Sequence, residues 1–249
     1  MIRSALASEF LPSPNTEPRQ NGHKPDMLIL HYTGMDDAGA ACRWLCNPAS
    51  KVSCHYLIDE RGTIIQMVDE DLRAWHAGVS SWKGDEDVNS FSIGIEIQNS
   101  GHAGGYPDFP EAQMLAVIAL CKDIIARHEI PATRVLGHSD IAPLRKIDPG
   151  EKFDWARLHV EGIGHWVRPD PIGGGSFLQL GDQGQAVEAF QSLLKLYGYA
   201  IEVSGKFDEL TQAIVRAFQR HFRPLRVDGI ADSSTVTTLH RLLRALDGR

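Results

Sequence analysis

The chain of 249 residues is 43% hydrophobic and 23% charged, with a formal net charge of −7. This composition excludes an intrinsically disordered chain, which combines low hydrophobicity with high charge. Four cysteines are too few for a small domain stabilised by disulfides. Nucleic-acid-binding proteins carry a basic excess that neutralises phosphates, so we expect no nucleic-acid partner for this acidic chain. The length allows one or two domains.

The N-terminus carries no signal for secretion. Residues 1–14 contain Arg3 but no sustained apolar stretch, because Glu9 and two prolines interrupt them, whereas a secretory leader needs an apolar segment. No apolar run approaches the roughly 20 residues of a transmembrane helix. We therefore expect no membrane span, reduced cysteines and a cytoplasmic location.

Short apolar runs and amphipathic stretches alternate along the first part of the chain. Residues 92–98 place three isoleucines on one face of a strand and Gly94 and Glu96 on the other. Apolar residues recur at helical spacing after Pro110 and stop before Pro131. The predicted strands are residues 27–33, 55–59, 63–68, 92–98 and 134–138, and the predicted helices are residues 39–46 and 110–130. This alternation predicts an α/β domain with a mixed central β-sheet flanked by helices.

A segment rich in proline and glycine at residues 171–175 has the composition of a linker. It divides the chain into a first domain at residues 1–170, with its core from about residue 25, and a second domain at residues 176–249. Three amphipathic stretches predict that the second domain is a small all-α three-helix unit. A weak repeat within it places Asp208 and Asp232 where each can cap the following helix.

Two of the eleven histidines stand at the ends of predicted strands, where α/β sheets bind ligands. These are His31 and His138, and Asp148 follows ten residues after the second. Two imidazoles and a carboxylate suit a catalytic zinc that keeps a fourth position for water and lowers its pKa. The alternative is that each histidine makes only structural hydrogen bonds, because the spacing lacks the signature of a helical zinc motif.

Glu96 is an unusual residue for the middle of an apolar strand, because a covered carboxylate there costs desolvation energy. Gly94, on the same face, leaves room for another group to approach the backbone. We interpret Glu96 as retained for function, the alternative being a solvated face. Lys146 lies two residues before Asp148 and could stabilise negative charge that develops on a tetrahedral intermediate.

Five ordered sequence blocks carry a resemblance to a known family. They are H-Y-T-G at 31–34, C-H-Y-L-I-D at 54–59, A-W-H-A-G at 74–78, S-I-G-I-E-I at 92–97 and G-H-S-D-I-A-P-L-R-K-I-D-P-G at 137–150. Together they resemble the zinc-dependent N-acetylmuramoyl-L-alanine amidases of the amidase-2 type, which share a fold with peptidoglycan-recognition proteins. The resemblance covers residues 25–168, and the last block is the most specific.

The resemblance implies an activity and a set of site residues. One Zn²⁺ per chain would bind His31, His138 and Asp148, with Glu96 as general base for the attacking water and Lys146 as stabiliser of the transition state. The residues implied along the substrate groove are Tyr32, His76 and the backbone around Ala142. The implied reaction is hydrolysis of the amide between the lactyl group of N-acetylmuramic acid and L-alanine, in peptidoglycan or muropeptides. We expect the chain to act as a monomer.

The second domain resembles helical peptidoglycan-binding modules. Such a module favours the periplasm or cell envelope, with the intact wall as substrate. The missing leader favours instead the cytoplasmic recycling of soluble 1,6-anhydro-muropeptides. The sequence leaves both alternatives open.

Two other hypotheses compete with the zinc amidase. The first is a recognition protein that binds muropeptides without cutting them. The presence of the third ligand, Asp148, disfavours it. The second is a structural zinc on Cys42, Cys46, Cys54 and His55, since the first two cysteines lie one helical turn apart. Paired C-x-x-C motifs are missing, and small buried thiols are common on helices.

Overall fold

The computed structural model describes residues 4–247. Within them the strands are β1 (Glu9–Phe10), β2 (Thr16–Pro18), β3 (Met27–Tyr32), β4 (Tyr56–Ile58), β5 (Ile64–Gln66), β6 (Leu72–Ala74), β7 (Ser92–Ile97), β8 (Val135–Gly137), β9 (Phe177–Leu178) and β10 (Ala231–Asp232). The helices are α1 (Ala38–Leu45), α2 (Val88–Phe91), α3 (Glu111–His128), α4 (His138–Ile141), α5 (Trp155–Val160), α6 (Gln185–Tyr197), α7 (Glu209–Phe222) and α8 (Ser233–Asp247). In this range, no helix has both the length and the apolar character needed to cross a bilayer.

Six strands form the central sheet in the order β1-β5-β4-β7-β3-β8. Strands β4, β7, β3 and β8 run parallel, β5 is antiparallel to β4, and β1 is parallel to β5. The predicted mixed sheet flanked by helices is thus confirmed, and β4 and β5 pair as a hairpin. The β3–β7 ladder aligns His31 with Glu96, so both side chains leave the sheet on the same face.

Strand β3 is covered on both faces, as is usual inside a parallel sheet. Leu28 and Leu30 share one apolar cluster with the inner side of α3. Met27 and Ile29 point the other way and share a cluster with residues of α6, α7 and α8. His31 continues this second face because side chains alternate along a strand, so the C-terminal helices pack on the same side of the sheet as the candidate site.

The local predictions fail at the last strand of the first domain. Strand β8 ends at Gly137, and His138 is the first residue of the short helix α4. The helix begins here because the carboxylate of Asp140 accepts a hydrogen bond from the Gly137 N–H, at 2.8 Å. The sequence reading also missed β1, β2 and β6, which are only two or three residues long and show no periodicity.

The C-terminal part contains the three predicted helices, α6 to α8. The carboxylates of Asp208 and Asp232 accept hydrogen bonds from the N–H groups of Thr211 and Thr235, each at 2.8 Å, so both predicted caps are confirmed. A two-stranded ladder, β9 with β10, adds to the predicted all-α unit. It joins the segment after the predicted linker to the start of α8.

One apolar cluster joins the C-terminal helices to the sheet. Trp82, from the loop before α2, is fully buried and packs edge-on against Tyr197 and Tyr199, with ring centroids 6.1 Å and 5.0 Å apart. Gly198 has a positive φ of 146°, and a Cβ there would lie 2.7 Å from the Trp82 ring. The close approach of the two parts therefore requires glycine at this position.

Replacing Trp82 with alanine should lower the free energy of unfolding by about 3–5 kcal/mol, because it empties a fully buried aromatic site. Denaturant unfolding followed by circular dichroism measures this change. The α/β part and the helical part should lose structure in a single transition, because they share the cluster around Trp82.

Trp44→Ala is the matched control, since Trp44 is 49% exposed and its loss should change the free energy of unfolding by less than about 1 kcal/mol. Two separate transitions, of which Trp82→Ala shifts only one, would contradict a shared core.

Candidate active site

The three candidate zinc ligands meet at one edge of the sheet. The Nδ1 atoms of His31 and His138 lie 2.9 Å apart, and Oδ2 of Asp148 lies 3.1 Å from each of them. All three residues are buried. Two ligands that are each about 2.1 Å from a tetrahedral zinc lie about 3.4 Å apart, so the observed triangle is close to the size that the ion requires.

A chain of hydrogen bonds determines which nitrogen of His31 carries the proton. The Ser92 hydroxyl donates to the carbonyl of Val88 at 2.6 Å, so its oxygen accepts from Nε2–H of His76 at 3.1 Å. Nδ1 of His76 then accepts from Nε2–H of His31, at 3.0 Å. Burial keeps the pKa of His76 well below its usual range and, with the neighbouring His138, lowers that of His31 to about 4. His31 is therefore neutral, with a free lone pair on Nδ1.

The second histidine is oriented by a backbone group. Nε2–H of His138 donates to the carbonyl of Ala77 at 3.1 Å, so its Nδ1 faces His31 without a proton. The third group is also an acceptor. Oδ2 of Asp148 lies 3.1 Å from Nδ1 of each ring, so a third electron pair faces the same space.

The chemistry of these groups fits a divalent metal. Two nitrogen lone pairs and a carboxylate oxygen repel one another at about 3 Å unless a positive charge lies among them. Two imidazoles with a carboxylate are typical ligands of a catalytic zinc, and the outer hydrogen bonds from Nε2 are the usual way such ligands are oriented. The residues present therefore fit Zn²⁺.

Glu96 lies beside this triangle at the bottom of a cavity. Its Oε2 atom is buried and makes no hydrogen bond within residues 4–247. Burial and, to a lesser extent, the negative charge of Asp148 raise the pKa of Glu96 well above its ordinary value. The positive charge of Lys146 opposes this rise. A carboxyl group with a raised pKa and a free oxygen is suited to general acid–base catalysis.

The cavity above the triangle has a volume of about 400 Å³ and contains most of the predicted site residues. Lys146 lines it, and its ammonium makes no ion pair in the part of the chain that the structure describes. Tyr32 also lines it, with its hydroxyl 3.1 Å from Nδ1 of His102. The remaining walls include Trp44, Trp75 and Arg145.

Of the predicted groove residues, His76 lines the cavity, whereas Ala142 does not. His76 borders the cavity, but its ring lies behind His31 and orients it. A Cβ on Gly94 would lie 2.5 Å from the His76 ring, so this imidazole is the group for which Gly94 leaves room. Ala142 lines a neighbouring cavity, next to α6 and α7, and its carbonyl accepts from the N–H of Lys146 at 3.0 Å.

The sequence analysis did not identify Ser92 and Ala77. Ser92 orients His31 through His76, and the Ala77 carbonyl orients His138 directly. No local signal could have identified them, because a serine at the start of a strand and a backbone carbonyl are both common. Only Gly94, in the same strand as Glu96, indicated that another group approaches the backbone there.

The alternative zinc site on cysteines is wrong. Among the described residues, the triangle above is the only group of three potential metal ligands whose atoms all lie within 4.8 Å. The thiols of Cys42, Cys46 and Cys54 belong instead to an apolar cluster beneath α1. Nδ1 of His55 accepts a hydrogen bond from the N–H of Gly94, at 3.0 Å.

Comparison with known proteins agrees with this geometry. Residues 21–151 match the family model described as N-acetylmuramoyl-L-alanine amidase. The chain belongs to this amidase family. Residues 183–239 match a second model, described as a putative peptidoglycan binding domain. A relative from Escherichia coli K12, the N-acetylmuramoyl-L-alanine amidase AmiD, is 38% identical over 232 residues, which span 87% of this chain and 82% of the relative.

Two solved structures resemble the whole architecture. The complex of E. coli AmiD with anhydro-N-acetylmuramic acid-L-Ala-D-γ-Glu-L-Lys has a TM-score of 0.76 and 35% identity, over 92% of this chain and 93% of that one. AmpDh3 from Pseudomonas aeruginosa, in complex with an anhydromuramic pentapeptide, has a TM-score of 0.74 and 32% identity, over 92% and 95%. Both similarities extend through the C-terminal helices.

Glu96→Gln should stabilise the metal-free protein, and increasingly so at higher pH. The folded protein binds the Glu96 proton more tightly than the unfolded chain does, because burial raises its pKa above the ordinary 4.5. This tighter proton binding contributes fully to the free energy of unfolding below pH 4.5. Its contribution is lost as the pH rises through the folded-state pKa. Glutamine has no charge to desolvate, so the difference in free energy of unfolding between variant and wild type should grow over this range.

Denaturant unfolding in the presence of a chelator, at several pH values, measures this difference. Glu60→Gln is the control, because Glu60 is exposed in the turn between β4 and β5 and its substitution should give no such trend. A constant difference between Glu96→Gln and wild type at all pH values would show that the carboxyl is not desolvated.

Proposed function

We propose that this chain hydrolyses the amide bond between the lactyl group of N-acetylmuramic acid and L-alanine in muropeptides, using one Zn²⁺ per chain. The observation that carries the proposal is the triangle of His31, His138 and Asp148 beside the free carboxyl oxygen of Glu96. Family membership and the muropeptides bound in the two solved relatives support the same reaction.

Each residue of the site has a separate role in this proposal. His31, His138 and Asp148 would hold the zinc, which when bound polarises the scissile carbonyl and lowers the pKa of water. Glu96 takes the proton of the attacking water at Oε2 and later delivers it to the leaving amine. Lys146 brings an ammonium to the cavity wall, where it stabilises negative charge on the carbonyl oxygen in the tetrahedral intermediate.

The cavity suits an amphipathic, acidic ligand. Trp44 and Trp75 offer apolar faces, while Arg145 and Lys146 place two cationic side chains on the wall. A muropeptide combines a sugar ring with peptide carboxylates, which such groups can bind. We further propose that residues 176–249 form a peptidoglycan-binding domain, which the match at residues 183–239 supports.

A recognition protein without activity is the less favoured alternative. Such a protein would need neither two oriented imidazoles nor an unpaired buried carboxyl, and burying that carboxyl costs stability. Glu96, Lys146 and two of the three candidate ligands line one cavity, which together with the amidase relatives favours hydrolysis.

Zinc should be required for activity and should bind at this site. Elemental analysis of the purified protein should give about one zinc per chain, and a chelator should abolish muropeptide hydrolysis until Zn²⁺ is added back. Asp148→Asn should weaken zinc binding by more than about 10-fold. Even residues that only hydrogen-bond to a metal ligand change the metal affinity by about 10- to 100-fold. Asp108→Asn, at a side chain that is 90% exposed, is the control. Full activity of the zinc-free protein would refute the proposal.

Glu96→Gln should lower kcat by about 10²- to 10⁴-fold, the usual contribution of a positioned acid–base group, while the zinc content stays unchanged. Lys146→Met should also lower kcat, because the charge of Lys146 stabilises the transition state. Product analysis by mass spectrometry, with soluble anhydro-muropeptides and with whole sacculi, measures both rates and the preferred substrate. Near-normal turnover of Glu96→Gln would exclude Glu96 as the base. The control variant Glu60→Gln should retain full activity.

A further inference from the structure

A second buried carboxylate lies close to the site but takes no part in the proposed chemistry. Asp140 is 1% exposed, and burial of a carboxylate is costly unless its oxygens are hydrogen-bonded. Three donors reach it. They are the N–H of Gly137 at 2.8 Å, the hydroxyl of Tyr199 at 2.9 Å and Nδ1–H of His221 at 2.7 Å.

Two of these three donors belong to the C-terminal part of the chain. Tyr199 follows α6, and His221 lies near the end of α7. Both are buried, and the His221 ring stacks on that of Trp155 in α5, with centroids 3.7 Å apart. Helix α4, which carries Asp140, packs against α7. Two of the three hydrogen bonds that Asp140 accepts therefore come from the C-terminal part of the chain.

The segment that Asp140 anchors carries two of the proposed ligands. His138 is the first residue of α4, and the N–H of Ser139 donates to the carbonyl of Asp148 at 3.0 Å. The same turn continues to Lys146, whose N–H donates to the carbonyl of Ala142. A helix of four residues is not stable by itself, so its geometry depends on the groups that hold its ends.

We propose that Tyr199 and His221 are positioning residues of the amidase site, acting through Asp140 on the turn that carries His138 and Asp148. The C-terminal helices then have a second role besides any binding of the cell wall, since they set the affinity of the site for its metal. This inference rests on the proposed function, because it concerns the same zinc site. It assigns catalytic importance to residues that lie outside the cavity.

The full-length chain offers a matched pair of variants to test this. Tyr199→Phe removes only the hydroxyl that donates to Asp140. Tyr197→Phe removes a hydroxyl from an equally buried tyrosine, which contacts Nδ1 of His165 instead. Competition with a chromophoric chelator measures the zinc dissociation constant of each variant, thermal unfolding measures its stability, and kcat is measured at saturating zinc.

A second pair tests the histidine. His221→Asn keeps an N–H donor at the position of Nδ1, whereas His221→Leu has nearly the same shape and no donor. Both lose the aromatic stacking on Trp155, so their comparison isolates the hydrogen bond to Asp140.

We expect Tyr199→Phe and His221→Leu to weaken zinc binding by about 10-fold, at the low end of the range for groups that orient a ligand directly. Tyr197→Phe should bind zinc like wild type, and His221→Asn should restore most of the affinity lost in His221→Leu. Equal zinc affinities within each pair, in a wild type that binds zinc and cleaves muropeptides, would overturn the inference and leave the proposed function intact. A wild type that binds no zinc would overturn both.

Discussion

The site depends on one electrostatic constraint, which is that three electron-pair donors face one another across about 3 Å without a proton between them. The protons of His31 and His138 are directed outward, to His76 and to the Ala77 carbonyl. Asp148 supplies a negative charge in the same buried space. Such an arrangement is unfavourable until a cation fills it, and this explains why so many surrounding hydrogen bonds hold the rings in place.

The parallel sheet makes the arrangement possible. The carboxyl ends of β3, β7 and β8 lie side by side, so residues far apart in sequence reach one edge. The ladder between β3 and β7 places His31 next to Glu96, with the base and the metal ligand on one face. The same face, further along β3, is covered by the C-terminal helices through Met27 and Ile29.

This shared face changes how the C-terminal part is understood. Its composition and the glycine-rich segment before it suggest an independent module on a linker. In the structure Trp82 is buried between the two parts, and Asp140 receives two hydrogen bonds from the helices beyond the linker. The segment is held against α8, where the Ser233 hydroxyl donates to the Gly174 carbonyl at 3.4 Å and the Ser234 hydroxyl donates to the carbonyl of Asp170, just before the segment, at 2.6 Å. Packing of this kind couples the conformation of the helices to that of the site.

The sequence by itself determined strands β3, β4, β5 and β7, the long helix α3, the caps of the C-terminal helices and most of the residues that meet at the candidate site, because these features leave local signals or motifs. Tertiary structure alone decided the position of His76 behind His31, the proton directions and the burial of Asp140 by Tyr199 and His221. Those features arise from contacts between residues up to 81 positions apart, as for Asp140 and His221. Periodicity and propensity describe only neighbours along the chain, so they carry no information about such contacts.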